Sequence, residues 1–198
     1  EAMAELAGSA YFQFYVGADI MNSDMNIFQL YQGGLGLDEK EYYLDTDENT
    51  TKIRDAYKQH VVKMLQLIGL DEKTATQHME AVMEIETRLA KKSYSAVEQR
   101  NPAANYHMFT LEELTKEIPG FDWQAYLDAV GVKDVTSLNV SQVEPVREAV
   151  AIINSFPIEK QKAYLQWKLV DKAASYLSED FVAQNFEFYG KVLSGKKE

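Results

Sequence analysis

Two periods divide the pattern of apolar positions along the chain. In its first part, "YFQFYVGAD" and "NIFQLYQ" are crowded with aromatic and branched side chains, and "IMNSDM" between them supplies Asn22, Ser23 and Asp24 as turn formers. That is the pattern of a β-hairpin. Tyr11, Gln13 and Tyr15 on one face and Phe12, Phe14 and Val16 on the other leave neither side wet, so these strands predict cover on both faces. From Thr50 the spacing is helical: Ile53, Tyr57, Val61, Met64, Leu65 and Ile68 recur three and four apart, and Gly69 stands where a left-handed helix end is least costly. A second helix is predicted over about residues 72–91, with Ala75, Met79, Val82, Met83 and Leu89 inward. The short loop between the two predicts an antiparallel pair.

Further along, the punctuation is explicit. "TLEE" makes Thr110 an N-cap with Glu113 reaching back, and Pro119 with Gly120 stops that helix near Ile118. "SQVE" predicts the same device at Ser141 and Glu144, ahead of a stripe of Val143, Val146, Val150 and Ile153, with Pro145 in the first turn where it is tolerated. Pro157 opens what reads as the longest helix, "PIEKQKAYLQWKLVDKAASYL". Its apolar positions wrap most of the way round, with Leu165, Leu169, Ala173 and Leu177 joined by Trp167, Val170 and Ala174, which predicts a central helix with Leu169 buried. The last segment offers Phe181, Val182, Phe186 and Tyr189 for packing. The fold class predicted is mainly α, a multi-helix domain with an N-terminal β-hairpin.

Composition narrows the function. The chain has 198 residues, 46% of them hydrophobic, enough for a real core in one compact unit. A formal net charge of −11 tells against nucleic acid and anionic lipid, which take their affinity from Lys and Arg. No cysteine is present, so disulfides, thiolate zinc sites and cysteine nucleophiles are excluded. No run approaches the roughly 18 to 20 apolar residues of a membrane span, and the start lacks the basic-then-apolar order of a secretory signal. The first residue is Glu1 rather than Met, which reads as a processed or excised piece.

Candidate chemistry is sparse. His60, His78 and His107 are isolated, and neither "HVVKM" nor "HMEAV" supplies the second histidine of a zinc-protease helix, so these side chains read as structural. Asp45, Asp47 and Asn49 have the alternation of a calcium loop, but Thr50 replaces its glycine and Ala56 its closing glutamate. A helix N-terminus with dipole-complementing acids is the better reading. Asn49-Thr50-Thr51 and Asn139-Val140-Ser141 match a glycosylation pattern too short to carry weight. The 12 Tyr, 9 Phe and 2 Trp read as core rather than a stacking surface. No catalytic, cofactor-binding or metal residue is predicted. The feature that stands out is the corner "YQGGLGLDEKEYYL", where Gly33, Gly34 and Gly36 permit unusual backbone angles and Tyr42, Tyr43 and Leu44 are placed to pin the turn.

That corner resembles the Gln, Gly-Leu, Leu, Tyr-Tyr-Leu signature of the neprilysin family of zinc metallopeptidases. "GADIMNSDMNIFQLYQ" is similar to the hairpin before it, "NYHMFTLEELTKEIPGFDWQAYL" to its Tyr-Asn, Met-Thr-Leu-Glu-Leu, Phe-Asp-Trp segment, and "AYLQWKLVDKAASYLSEDFVAQNFEFYGKVLSGKKE" to its Trp, Leu-Ser, Phe-Phe-Tyr, Leu-Ser-Gly segment. Asp38 and Lys40 depart from the family's proline and arginine. The resemblance implies an N-terminal, non-catalytic portion. Residues 1–46 are then a hairpin and corner that contact a catalytic half absent from this chain, and residues 47–198 a helical lid restricting peptides' access to a central chamber. Zinc is expected in the full-length protein and not here. Implied partners are the C-terminal catalytic half and peptide substrates, with no nucleic acid and no membrane contact, and with self-association through an uncovered hairpin. A cysteine-free member looks bacterial, periplasmic or secreted. The alternative is a standalone acidic helical protein-binding module, separated from the first reading by whether H-E-x-x-H follows downstream.

Overall fold

The computed structural model describes residues 10–195. The strands are β1 (Phe12–Asp19), β2 (Asn22–Gln32), β3 (Met108–Thr110) and β4 (Ser137–Val140). Helices α1 (Glu41–Leu44), α2 (Glu48–Leu67), α3 (Glu72–Ala90), α4 (Ala96–Gln99) and α5 (Leu111–Glu117) precede α6 (Trp123–Ala129), α7 (Val143–Ser155), α8 (Ile158–Ala173) and α9 (Glu179–Asn185). A π-helix, Phe186–Leu193, follows. The architecture is mainly α with the expected N-terminal hairpin. It divides into two compact units interleaved in sequence: the described part of Glu1–Leu35 with Lys91–Ser155, and Gly36–Ala90 with the described part of Phe156–Glu198. The chain therefore passes between units after Leu35, Ala90 and Ser155.

In the first unit the sheet has the order β1-β2-β4-β3. The β1–β2 pair is antiparallel with Phe12 opposite Gln32, Ala18 opposite Asn26 and Asp19 opposite Asn22. The turn is thus Ile20–Met21, closed by the Met21 amide donating to Asp19 Oδ1 at 2.9 Å, and Ser23, Asp24 and Met25 form an irregularity inside β2 rather than the expected turn. Asn22-Ser23-Asp24 has the stronger turn chemistry, but the register that buries Phe12, Phe28 and Leu30 overrides it. Phe12 sits among Phe121, Trp123 and Tyr126 with ring centroids 5.8, 5.9 and 5.5 Å away. Near the turn this cover ends: Tyr15, Val16, Ile20, Met21 and Met25 are exposed, so cover on both faces does not extend to that end. Strand β4 runs parallel to β2 and antiparallel to β3.

Thr110 and Glu113 form the predicted capping box, and Ser95 with Glu98 a second. At the other predicted box, Ser141 Oγ accepts from Asn139 Nδ2 and Glu144 pairs with Arg147. Asn139 is buried, with Nδ2 donating to Gln29 Oε1 at 2.7 Å and Oδ1 accepting from the His107 amide at 2.6 Å, so it serves the sheet and is closed to modification.

In the second unit Asp47 caps α2 by accepting from the Thr50 amide at 3.0 Å, the helix-N-terminus reading of the acidic loop. Helix α2 ends at Gly69, with φ of 98°, where the Gly69 and Leu70 amides reach back to the Gln66 and Leu65 carbonyls. Helices α2, α3 and α8 enclose Tyr57, Val61, Leu65, Val82, Ile85 and Trp167. Two expectations for α8 fail. It has 16 residues against 20 in α2 and 19 in α3, and Leu169 is 48% exposed. The buried side is Gln161, Ala163, Tyr164, Trp167, Val170 and Ala174; Leu169 lies two residues, about 200° round the helix, from Trp167.

Candidate functional site

At the corner, Gly33 and Gly34 close the first unit's segment and Gly36 opens the second's. Gly34 has φ of 86°, a left-handed conformation costly to residues with a Cβ. Gly33 lies against the Phe12 backbone, where a Cβ would stand 3.2 Å from it. At Gly36 the constraint is space: a Cβ would stand 1.8 Å from the Tyr57 hydroxyl oxygen. The turn beyond is organised by Tyr43, whose hydroxyl accepts from the Gly36 amide at 3.0 Å and the Leu37 amide at 2.8 Å. Tyr42 is half-buried. Arg54 on α2 donates to the carbonyls of Tyr43 and Asp45, closing the C-terminal end of α1.

Beneath the corner is a buried polar cluster within the second unit. Glu86 on α3 is fully buried, accepts the Tyr43 hydroxyl at 2.7 Å and the Tyr57 hydroxyl at 3.0 Å on Oε2, and takes Lys168 Nζ at 2.9 Å on Oε1. Trp167 Nε1 donates to the Tyr57 hydroxyl at 3.0 Å. Burial, reinforced by the Glu86 charge, pushes the ionisation of both Tyr43 and Tyr57 well above the ordinary tyrosine range. Asp171, one turn beyond Lys168, is raised to about 6 by burial, against the opposing pull of Lys168 and of a hydrogen bond from Tyr189, while Glu86 and Asp38 push it further up. Tyr189 also points its hydroxyl at the Gly36 carbonyl, 3.4 Å away. Next to it His60 stacks on Phe188 at 4.9 Å and bonds Gln184 through Nδ1 at 3.1 Å; burial, then Lys63, lowers it to about 4.

The cluster anchors backbone: its tyrosine hydroxyls and the Glu86 carboxylate are buried and bonded to one another. An open groove of about 660 Å³ between α2 and α9, edged by Lys63, Gln66, Asp180, Gln184 and Glu187, mixes both charge signs. Among the described residues no three His, Cys, Asp or Glu side chains converge to hold a metal ion, so the donor set a zinc centre needs does not fit here. His60, His78 and His107 lie apart in separate bonds, to Gln184, Gln166 and the Val140 carbonyl. Nor is any helix among the described residues long and apolar enough to cross a membrane.

Sequence reasoning named the corner but did not single out Glu86, Lys168 or Asp171. One signal was available for Glu86: it sits four residues after Val82 and three before Leu89, on the inward stripe of α3.

The sequence pattern of peptidase family M13 matches residues 1–198. Endothelin-converting enzyme 1 of Rattus norvegicus is 31% identical over 194 residues, which is 96% of this chain and 25% of that protein. The zinc metalloprotease Zmp1 of Mycobacterium tuberculosis superimposes with a TM-score of 0.90 in its open state, at 29% identity over 98% of this chain and 30% of that one. In complex with an inhibitor Zmp1 gives 0.91 at 28% identity, over 100% of this chain and 31% of that one. The chain thus spans about a quarter of the length of the curated relatives it matches. With the family's pattern running from its first residue to its last, the chain belongs to peptidase family M13, of which it is an N-terminal portion.

Proposed function

We propose that this chain is the non-catalytic portion of a zinc metalloendopeptidase, in which residues 47–198 roof a central chamber and limit which peptides reach the metal. Peptide-bond hydrolysis then belongs to the catalytic remainder of the same polypeptide, which also supplies the zinc ligands. The observation that carries this reading is a family match over residues 1–198 in a chain whose described residues gather no metal-binding set. A roof works by shape and rigidity, and capped helices with a closed core suit that task. Zmp1 is described both in an open state and with an inhibitor bound, and the parent of this chain is taken to open and close likewise. Residues 1–46 fit as the segment that meets the catalytic part, because the exposed apolar end of the hairpin at Tyr15, Val16, Ile20 and Met21 has the chemistry of a surface awaiting cover. Separated from that cover, the hairpin is expected to self-associate. Gly33, Gly34, Gly36, Tyr42 and Tyr43 are the structural corner between the two roles. A cysteine-free relative of Zmp1 fits a bacterial protein working outside the cytoplasm, periplasmic or secreted.

Calorimetry with zinc and a peptide-digestion assay test the assignment. The chain by itself is expected to bind no zinc tightly and cleave nothing, while its parent reading frame continues into H-E-x-x-H. A stoichiometric, chelator-sensitive peptidase activity in residues 1–198 would overturn it.

A further inference from the structure

Helix α9 is short, exposed and weakly held. None of its seven residues is fully buried, and its N-cap Ser178 makes no side-chain hydrogen bond. A helix of that length does not persist on backbone bonds alone and takes its stability from packing. Within the second unit the packing is one-sided: Gln184 Nε2 meets His60 Nδ1 on α2 at 3.1 Å, while Leu177, Val182 and Phe186 remain 43%, 43% and 40% exposed. Leu177 and Val182 occupy the two positions of a hydrophobic staple about Ser178, and Phe186 follows Val182 four residues on, so the three make one apolar ridge. Tyr176, the residue before Leu177, is more exposed still.

We propose that this ridge is the seat of an amphipathic helix supplied by the remainder of the parent polypeptide, whose apolar stripe covers Leu177, Val182 and Phe186. The inference rests on the reading of the chain as part of a longer peptidase, and it gives the second unit, as well as the hairpin, a surface that the remainder covers.

The shape of the ridge, its area and its charge favour this occupant. The Phe186 ring is fixed before anything covers it: a Cβ on Gly190 would stand 2.6 Å from its Cδ2, and Lys191 Nζ lies 5.9 Å from its centroid while pairing with Glu187 at 3.0 Å. An exposed aromatic that is already immobilised loses little further freedom on being covered, which is the property of an interface anchor. A row of side chains at helical spacing fits the groove of a facing helix. An added strand would instead need an open sheet edge, and the second unit has no strand among its described residues. Area selects the same polypeptide over a second copy. Three side chains, each already more than half covered, offer far less than the roughly 800 Å² per partner of a stable association, and a tethered occupant needs no such area because the tether supplies its concentration. The relatives have room for it, since this chain spans between 25% and 31% of their length. Glu179 and Asp180 in the first turn of α9 border the ridge, so the occupant carries a basic flank where it passes them.

Residues 1–198 contain no cysteine, so Val182→Cys and Phe186→Cys, each in the full-length protein cleared of any other thiol, report cover directly. Each variant is labelled with a maleimide in buffer and again in denaturant, which makes every site its own reference. A covered ridge is expected to slow native labelling at both positions by at least roughly 30-fold. Side chains as open as in this structure would label nearly as fast as the unfolded chain. A photo-crosslinking residue in place of Val182 identifies the cover: the expected product joins it to a segment outside residues 1–198 of the same chain, at a yield independent of protein concentration. Fast native labelling, or a crosslink to a second copy or to added peptide substrate instead, would overturn the inference. If the variants fail to fold, hydrogen exchange of wild-type residues 177–186 decides, with protection supporting the cover and near-unfolded exchange overturning it. Peptidase activity and zinc content of the same preparations separate the two readings. An active zinc enzyme with an open ridge overturns only this inference, and a covered ridge in a protein without H-E-x-x-H overturns only the peptidase reading.

Discussion

Removing the Glu86 carboxylate is the sharpest single perturbation of the second unit. In Glu86→Ala the Lys168 ammonium, only 13% exposed, loses its partner, and the hydroxyls of Tyr43 and Tyr57 lose the acceptor that orients them. Breaking a buried ion pair from one side is worth about 3–5 kcal/mol, and each hydroxyl left without an acceptor about 1–3 kcal/mol. These contributions share the same atoms and do not add fully, so the expected loss is about 5 kcal/mol, a large part of the about 5–15 kcal/mol that holds a domain together. Glu86→Gln keeps one acceptor oxygen and should lose about half as much. Adding Lys168→Met to Glu86→Ala removes the stranded charge and should return about 2 kcal/mol or more. Urea denaturation reads these values, and Trp123→Phe makes Trp167, which donates to Tyr57 inside the cluster, the only tryptophan reporter. A Glu86→Ala loss below about 1 kcal/mol, or a Lys168→Met change that deepens it, would refute the cluster as the anchor of the corner.

Leu169→Ala should cost under about 0.5 kcal/mol and Leu65→Ala about 2–5 kcal/mol, since the first side chain is 48% exposed and the second fully buried; equal values in chemical denaturation would contradict the orientation of α8. Gly36→Ala should force the Tyr57 hydroxyl off Glu86 and lower the melting temperature by several degrees more than Gly33→Ala, and thermal unfolding showing the two alike would tell against the close approach. His60, held at about 4, contributes stability that is complete above its unfolded value near 6.5 and lost as pH falls through about 4. His60→Gln should therefore flatten acid unfolding by up to about 3 kcal/mol over that window, and an unchanged acid limb would exclude the histidine as its source.

What was legible depended on how local the cause was. The acidic loop around Asp47 as the start of α2, Gly69 as its end and Thr110 with Glu113 each act within a few residues of chain, and all three are read directly, though Asp47 as the cap itself is not singled out. Strands β3 and β4, with three and four residues, are too short to carry a period of two and exist because they pair with each other and with β2. The hairpin turn moved to Ile20–Met21 because long-range burial of Phe12 and Leu30 fixed the register. At the candidate site the glycines announced a corner, but no local pattern singled out Lys168 and Asp171, and only the fold brings them under Gly36. Tyr189 was assigned to packing, since a 3.6-residue period does not anticipate the wider turn that sends Phe188 and Tyr189 inward together.

The most direct test of the roof is a size limit on substrates of the full-length enzyme. A nested series of unfolded peptides sharing one cleavage sequence, extended stepwise from a short oligopeptide to a whole denatured protein, would be digested under single-turnover conditions and cleavage at the shared bond followed by mass spectrometry. With the chemistry held constant, cleavage is expected to continue for short members and drop sharply beyond one length, and variants that loosen the second unit, such as Glu86→Ala, should move that limit upward. Equal cleavage along the whole series, with a limit indifferent to the second unit, would contradict a roof that works by exclusion.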